Sequence, residues 1–411
     1  GINYITIRGF RISQAATQWA APTAEQIGMI ATHWSKSWII EDNIIHDSRC
    51  NGITLGRDGG TGHNVWSADA DNINRDGNIH YIEVIFKELR NNWNKQHIGS
   101  HIVRNNTIYN CEQTGICGSM GAVFSTIENN HIYNINIKEQ FKGWEIGGIK
   151  FHAPVDVTIR NNRIHDCERG IWLDWMTQGA RVTGNVLYRN REHDLWVEVN
   201  HGPYIVDKNI FLSKVALQNW SQGGAYIHNL FMGKIAISEQ GRFTPYFLPH
   251  SIEVAGLSSI SGGDDRFYNN IIGAEVGAYE SHDYHYWMLE YDSTKYTNTF
   301  QGNIYINGVL APKIEPVNTK FENMQIKFRL FEETDKLQIQ FNNINPIVNQ
   351  NQKLVTSAEL GKTKLSKGAF DDTDGNNIIF NTDYFGNTFS IDTLYAGPFS
   401  TPIDNVKILT I

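Results

Sequence analysis

"RNNRIHDCERGIWLD", residues 160–174, places two short apolar strands on either side of a polar corner. Asn162 precedes the first strand, and Gly170 opens the second. The phrase recurs as "EDNIIHD" (41–47), "RNNTIYN" (104–110), "ENNHIYN" (128–134), "TGNVLYR" (183–189) and "VDKNIFL" (206–212). Fainter copies are "IHNLFMG" (227–233), "YNNIIGA" (268–274) and "QGNIYIN" (301–307). The asparagine falls at 43, 106, 130, 162, 185, 209, 229, 270 and 303, and several intervals are 20 to 32 residues. After most phrases comes a second strand: "GITLG" (52–56), "GICGS" (115–119), "GIKFH" (148–152), "GIWLD" (170–174), "DLWVE" (194–198).

A period of 20 to 25 residues with two or three strands predicts a right-handed parallel β-helix, an all-β solenoid with loop insertions. Stacked turns align equivalent residues about 4.8 Å apart. An asparagine ladder follows, its side chains bonding along the axis and its backbone suited to a left-handed corner. The L-x-x-L-x-L signature of leucine-rich repeats is absent.

Long intervals mark insertions, around 57–98 and 134–147. Ile79, Ile82, Ile85/Phe86 and Leu89 recur at helical spacing, predicting a helix with that face buried. "MQIKFRLF" and "LQIQF" flank "EETDK" and predict a hairpin. The expected division is a β-helix core over 1–320 and a hairpin with a terminal cap over 321–411. The cap is expected to cover the open end of the solenoid.

The second strands carry the chemistry. Ile149, Phe151, Ile171, Leu173, Leu195 and Val197 alternate inward. Lys150, His152, Trp172, Asp174, Trp196 and Glu198 then face outward on one sheet. His152, Asp174 and Glu198 become neighbours on three rungs, with Gln218 expected on the next. Two like charges side by side in one column are unfavourable for structure alone. One outward acid is usually solvated surface; two, flanked by tryptophans, point to paired carboxylate catalysis. Rung spacing sets the carboxyls roughly 5 to 6 Å apart, the separation of retaining glycoside hydrolysis. Trp172 and Trp196 are expected to be exposed and to bind a sugar ring. Glu145, in "GWEIGG", is a further candidate acid. His201, in "NHGP", is a substrate-binding candidate, with a turn-capping role as the alternative.

Composition narrows the partners. The 411 residues are 41% hydrophobic and 19% charged, a folding composition. The formal charge of −8 disfavours nucleic acid or an anionic membrane. No apolar run reaches 18 residues. Four cysteines without C-x-x-C pairs suggest neither a metal site nor a disulfide scaffold. Cys50, Cys111 and Cys167 are expected to be buried in equivalent turns. "DADNINRDGN" (69–78) lacks the glycine and closing glutamate of a calcium loop.

"GGIKFHAPVDVTIRNNRIHDCERGIWLDWMTQGARVTGNVLYRN" and "DLWVEVNHGPYIVDKNI" closely resemble the β-xylosidases of glycoside hydrolase family 120. "QAATQWAAPTAEQIGMIATHWSKSWIIEDN" and "TDYFGN…AGPF" are similar as well. The resemblance implies a right-handed parallel β-helix that hydrolyses β-1,4-xylo-oligosaccharides with retention. It implies Asp174 as nucleophile, Glu198 as acid/base and Glu145 as an acid assisting substrate binding. It implies no cofactor and no metal, a xylo-oligosaccharide substrate, no nucleic-acid or membrane partner, and room for a homo-oligomer. A cytoplasmic location is expected. Members of that family carry further N-terminal sequence and an inserted β-sandwich, so the chain is expected to open within the helix. Two rival readings remain: a polysaccharide lyase on this fold, and a non-catalytic carbohydrate-binding solenoid.

Overall fold

The computed structural model describes all residues except 22–23, 62–76, 142–144, 239, 275–286, 316–325, 334–335, 343–351, 391–393, 401–405 and 411. Three sheets of parallel strands wrap one core. The first runs from Thr6–Arg8 to Thr299–Gln301, the second from Arg11–Ala15 to Ile304–Tyr305, with ten strands each. The third runs from Gly28–Ala31 to Lys234–Ile237 with eight. The first eight rungs supply one strand to each sheet, and the last two supply only the first and second.

Inward apolar residues stack in register. Ile40, Val103, Ile127, Ile159, Val182 and Val206 form one such row, and all are buried in the main core. The glycine that opens the third-sheet strands is required by space. A Cβ on Gly148 would stand 2.8 Å from both Gly170 O and Ile164 Cγ2.

The asparagine ladder is continuous. From Asn43 to Asn303, each Nδ2 donates to the next Oδ1 at 2.9 to 3.0 Å. The left-handed corner, however, belongs to the residue before each ladder asparagine: Asp42, Asn105, Asn129 and Asn161 have φ of 53 to 57°. The ladder residue needs its side chain pointed inward, so its neighbour makes the bend.

Several expectations are corrected here. The helix forms at Gly77–Arg90, but its buried face is His80, Tyr81, Val84, Ile85 and Glu88, with Ile82 beside them. Ile79 and Phe86 are exposed, because Tyr81 and Ile85 set the face that meets the solenoid. Cys111 and Cys167 both pair with Ile135, but Ser48 holds that position one rung earlier, so Cys50 is not their equivalent. The hairpin forms as Lys327–Glu333 with Lys336–Asn342, and Val406–Thr410 adds a third strand. It packs on the outer side of the second sheet, against Leu212, Leu230 and Ile304. The segment from Val355 to Phe380 packs on the first sheet, against Ile205, Ala225, Ile227 and Tyr268. These parts therefore flank the solenoid. Past the last third-sheet strand, the 3₁₀ turn Trp287–Ser293 sends Trp287, Met288 and Tyr291 into the core. Most of residues 69–78 lies outside the described residues. No described helix is long and apolar enough to cross a membrane.

Candidate active site

Register on the third sheet builds the site. Ser119 pairs with His152 and His152 with Asp174. Leu173 pairs with Val197, so Asp174 and Glu198 come next on neighbouring strands. Glu198 then pairs with Trp220. The column is Ser119, His152, Asp174, Glu198, Trp220. Gln218 pairs instead with Trp196, one column over; the expectation at 218 miscounted the strand by two. The adjacent column is Cys117, Lys150, Trp172, Trp196, Gln218.

Both acids are buried, Asp174 to 3% exposure and Glu198 to 5%. Asp174 Oδ1 accepts from the Trp175 backbone N–H at 2.7 Å. Its Oδ2 lies 2.7 Å from His152 Nε2 and 3.0 Å from Lys150 Nζ. Lys150 also pairs with Glu145. The other His152 nitrogen, Nδ1, lies 3.0 Å from the Tyr81 hydroxyl. Glu198 Oε2 accepts from Trp172 Nε1 at 3.1 Å, and its Oε1 pairs with Arg242.

This asymmetry separates the two carboxyls. Burial would push Asp174 up, but the charges of His152 and Lys150, with the hydrogen bonds from His152 and Trp175, hold it well below the usual carboxylate range. Burial, then the charge of Asp174, pushes Glu198 up to about 7, against the opposing pull of Arg242 and Lys150. Burial presses His152 down most strongly, but the charge of Asp174 and the hydrogen bonds to Asp174 and Glu145 together outweigh it and the ring pKa is raised. One carboxyl is therefore ionised and the other holds a proton near neutrality. That division suits a nucleophile beside an acid.

His152, Asp174, Glu198 and Glu145 are brought together as expected. The tryptophans are not exposed: Trp172 is 1% and Trp196 2% accessible. Their rings stack at 4.1 Å, with Arg169 over both and Lys150 over Trp172. Cationic side chains roof these indoles, and Trp172 reaches the site through its N–H. His201 is buried with both nitrogens engaged. Its Nε2 lies 3.0 Å from Thr244 O and 3.1 Å from Ser258 O, and Gln222 meets Nδ1 at 3.0 Å. It ties down the antiparallel hairpin of Phe243–Phe247 and Val254–Ser259.

That hairpin follows Arg242, which sequence reasoning missed because the segment carries no repeat phrase. Tyr81 was hidden by the choice of helical face. Lys150 was placed one column aside, where its long side chain nonetheless reaches both Asp174 and Glu145. Glu145, His152 and Asp174 offer donor atoms within 4.8 Å of one another, a set that could hold a metal ion. The Lys150 ammonium already supplies positive charge between the two carboxylates.

The chain matches the family model for a right-handed β-helix region over residues 30–231. It is similar to a solved structure of XylC in complex with xylose, with 40% identity and a TM-score of 0.90. The alignment covers 100% of this chain and 66% of XylC, so the chain spans just under two thirds of that protein's length. A pectate lyase, Pel9A, aligns at 8% identity and a TM-score of 0.42, over 77% of this chain and 70% of its own. No curated protein matches the chain. The match and the stacked parallel sheets establish a right-handed parallel β-helix.

Proposed function

We propose that this right-handed β-helix is a retaining β-xylosidase of the family 120 type, releasing xylose from the non-reducing end of β-1,4-xylo-oligosaccharides. The observation that carries the reading is two carboxyls on adjacent rungs in unlike surroundings: Asp174 against His152 and Lys150, Glu198 buried against Trp172 and Arg242. The 40% identity to XylC, solved with xylose, supports the glycone. Asp174 attacks the anomeric carbon as the C1–O bond breaks, and Glu198 gives its proton to the leaving oxygen. Glu198, now a carboxylate, takes a proton from water. The water oxygen displaces Asp174 and xylose leaves with its configuration retained. Lys150 and His152 keep the nucleophile ionised. Glu145 and His152 stand where they can bind sugar hydroxyls. A lyase would need a basic group to take a proton from carbon, and here the cations are spent on carboxylates.

Azide separates the roles. Glu198→Ala should lose most activity on xylobiose, keep more on an aryl xyloside, and regain turnover with azide as the β-xylosyl azide. Asp174→Ala with azide should give no β-product. An α-azide from Glu198→Ala would reverse the assignment.

A further inference from the structure

The catalytic column does not stop at the acid. Glu198 is in register with Trp220, and the chemistry gives that neighbour a direction. In a retaining displacement the leaving oxygen departs from the side of the anomeric carbon away from the nucleophile, toward the acid. Asp174, Glu198 and Trp220 lie in that order along the helix axis, so the leaving group is directed toward Trp220. On the other side of Asp174 stand His152, Lys150 and Glu145, which suit a hydroxyl-rich glycone.

Trp220 also differs from the other two sheet tryptophans. Trp172 and Trp196 hide their faces in a stack along the axis. The Trp220 ring stands at 85° to Trp196, with centroids 4.9 Å apart. It cannot continue the stack, and it remains partly accessible where the other two are closed off. Its indole N–H, like that of Trp196, is buried without an acceptor among the described residues and does not set it apart. A partly accessible ring one rung beyond the acid fits a sugar that offers a C–H face.

Resting on the β-xylosidase reading, we infer that Trp220 forms the leaving-group subsite, receiving the reducing-end xylose unit, and so sets the preference for oligosaccharides over simple xylosides. The test compares two substrates with one glycone: xylobiose and β-xylosyl fluoride, whose leaving group is too small to fill a sugar subsite. Trp220→Ala should lower the ratio of their kcat/KM values, xylobiose over fluoride, by about 10-fold, chiefly through KM for xylobiose. Trp220→Phe should recover part of the ratio, which guards against a folding defect in the alanine variant. A ratio unchanged in both variants overturns the inference. If the unmodified protein cleaves neither substrate, the β-xylosidase reading itself fails, and the two failures are distinct.

Discussion

Glu198 has its two oxygens held differently, the Trp172 indole on one and the Arg242 guanidinium on the other. Arg242 favours the carboxylate, whereas burial and Asp174 favour the acid. On the proposed β-xylosidase reading the acid form must be present for glycosylation, so kcat/KM should fall as pH rises through about 7. The acidic limb belongs to Asp174, whose pKa lies well below the usual range, so it should appear only in strongly acidic solution. Lys150, a further cation acting on Glu198, stays in place when Arg242 is changed. Arg242→Gln removes one of the influences that lower the Glu198 pKa. The alkaline limb should then move to higher pH, while KM for an aryl xyloside changes less. A limb that stays put or moves down would show that Arg242 does not act on Glu198 in the working enzyme.

The rung is the unit of the next scale, and the asparagine ladder ties rung to rung. The Asn162 side chain makes four bonds: its Oδ1 accepts from Asn130 N and Nδ2, and its Nδ2 donates to Ile127 O and Asn185 Oδ1. All lie in the dry interior, where an orphaned N–H or C=O costs more than a bond formed there gains. Asn162→Ala should therefore destabilise by about 3 to 5 kcal/mol, measured by urea unfolding. Asn43 stands at the first end of the ladder with one bond fewer: its Oδ1 accepts only from Phe10 N, and its Nδ2 donates to Ile7 O and Asn106 Oδ1. Its loss should cost less. Equal costs would mean that the ladder bonds do not act as a buried network. The ladder was legible in the sequence because each turn meets the same neighbours, so one solution recurs nine times. The φ > 0 position was not, since Asp42, Lys208 and His228 share no residue type with Asn105.

At the scale of the molecule, what repeats could be read and what occurs once could not. Asp174 and Glu198 sit on repeat strands, and their register followed from alternation. Arg242, Tyr81 and the flanking tail reach the solenoid from segments with no counterpart elsewhere in the chain. Their positions depend on contacts across 44 to 215 residues, which no local pattern encodes. The tail shows the consequence. Phe370 is fully buried under Arg266, whose Cζ lies 4.6 Å from its ring centre. Arg266 also donates to Leu360 O and Lys362 O, and Arg181 reaches from the first sheet to Asp372. The apolar strip of Ile205, Ala225 and Ile227 is thus covered by a segment pinned by two arginines. Phe370→Ala opens a cavity there and should cost about 3 to 5 kcal/mol, seen as a lower melting temperature. Because the tail flanks the first sheet and the acids stand on the third, kcat in the folded fraction should hold near its original value. A variant that keeps its melting temperature but loses kcat would show that the flank shapes the site rather than sealing the solenoid.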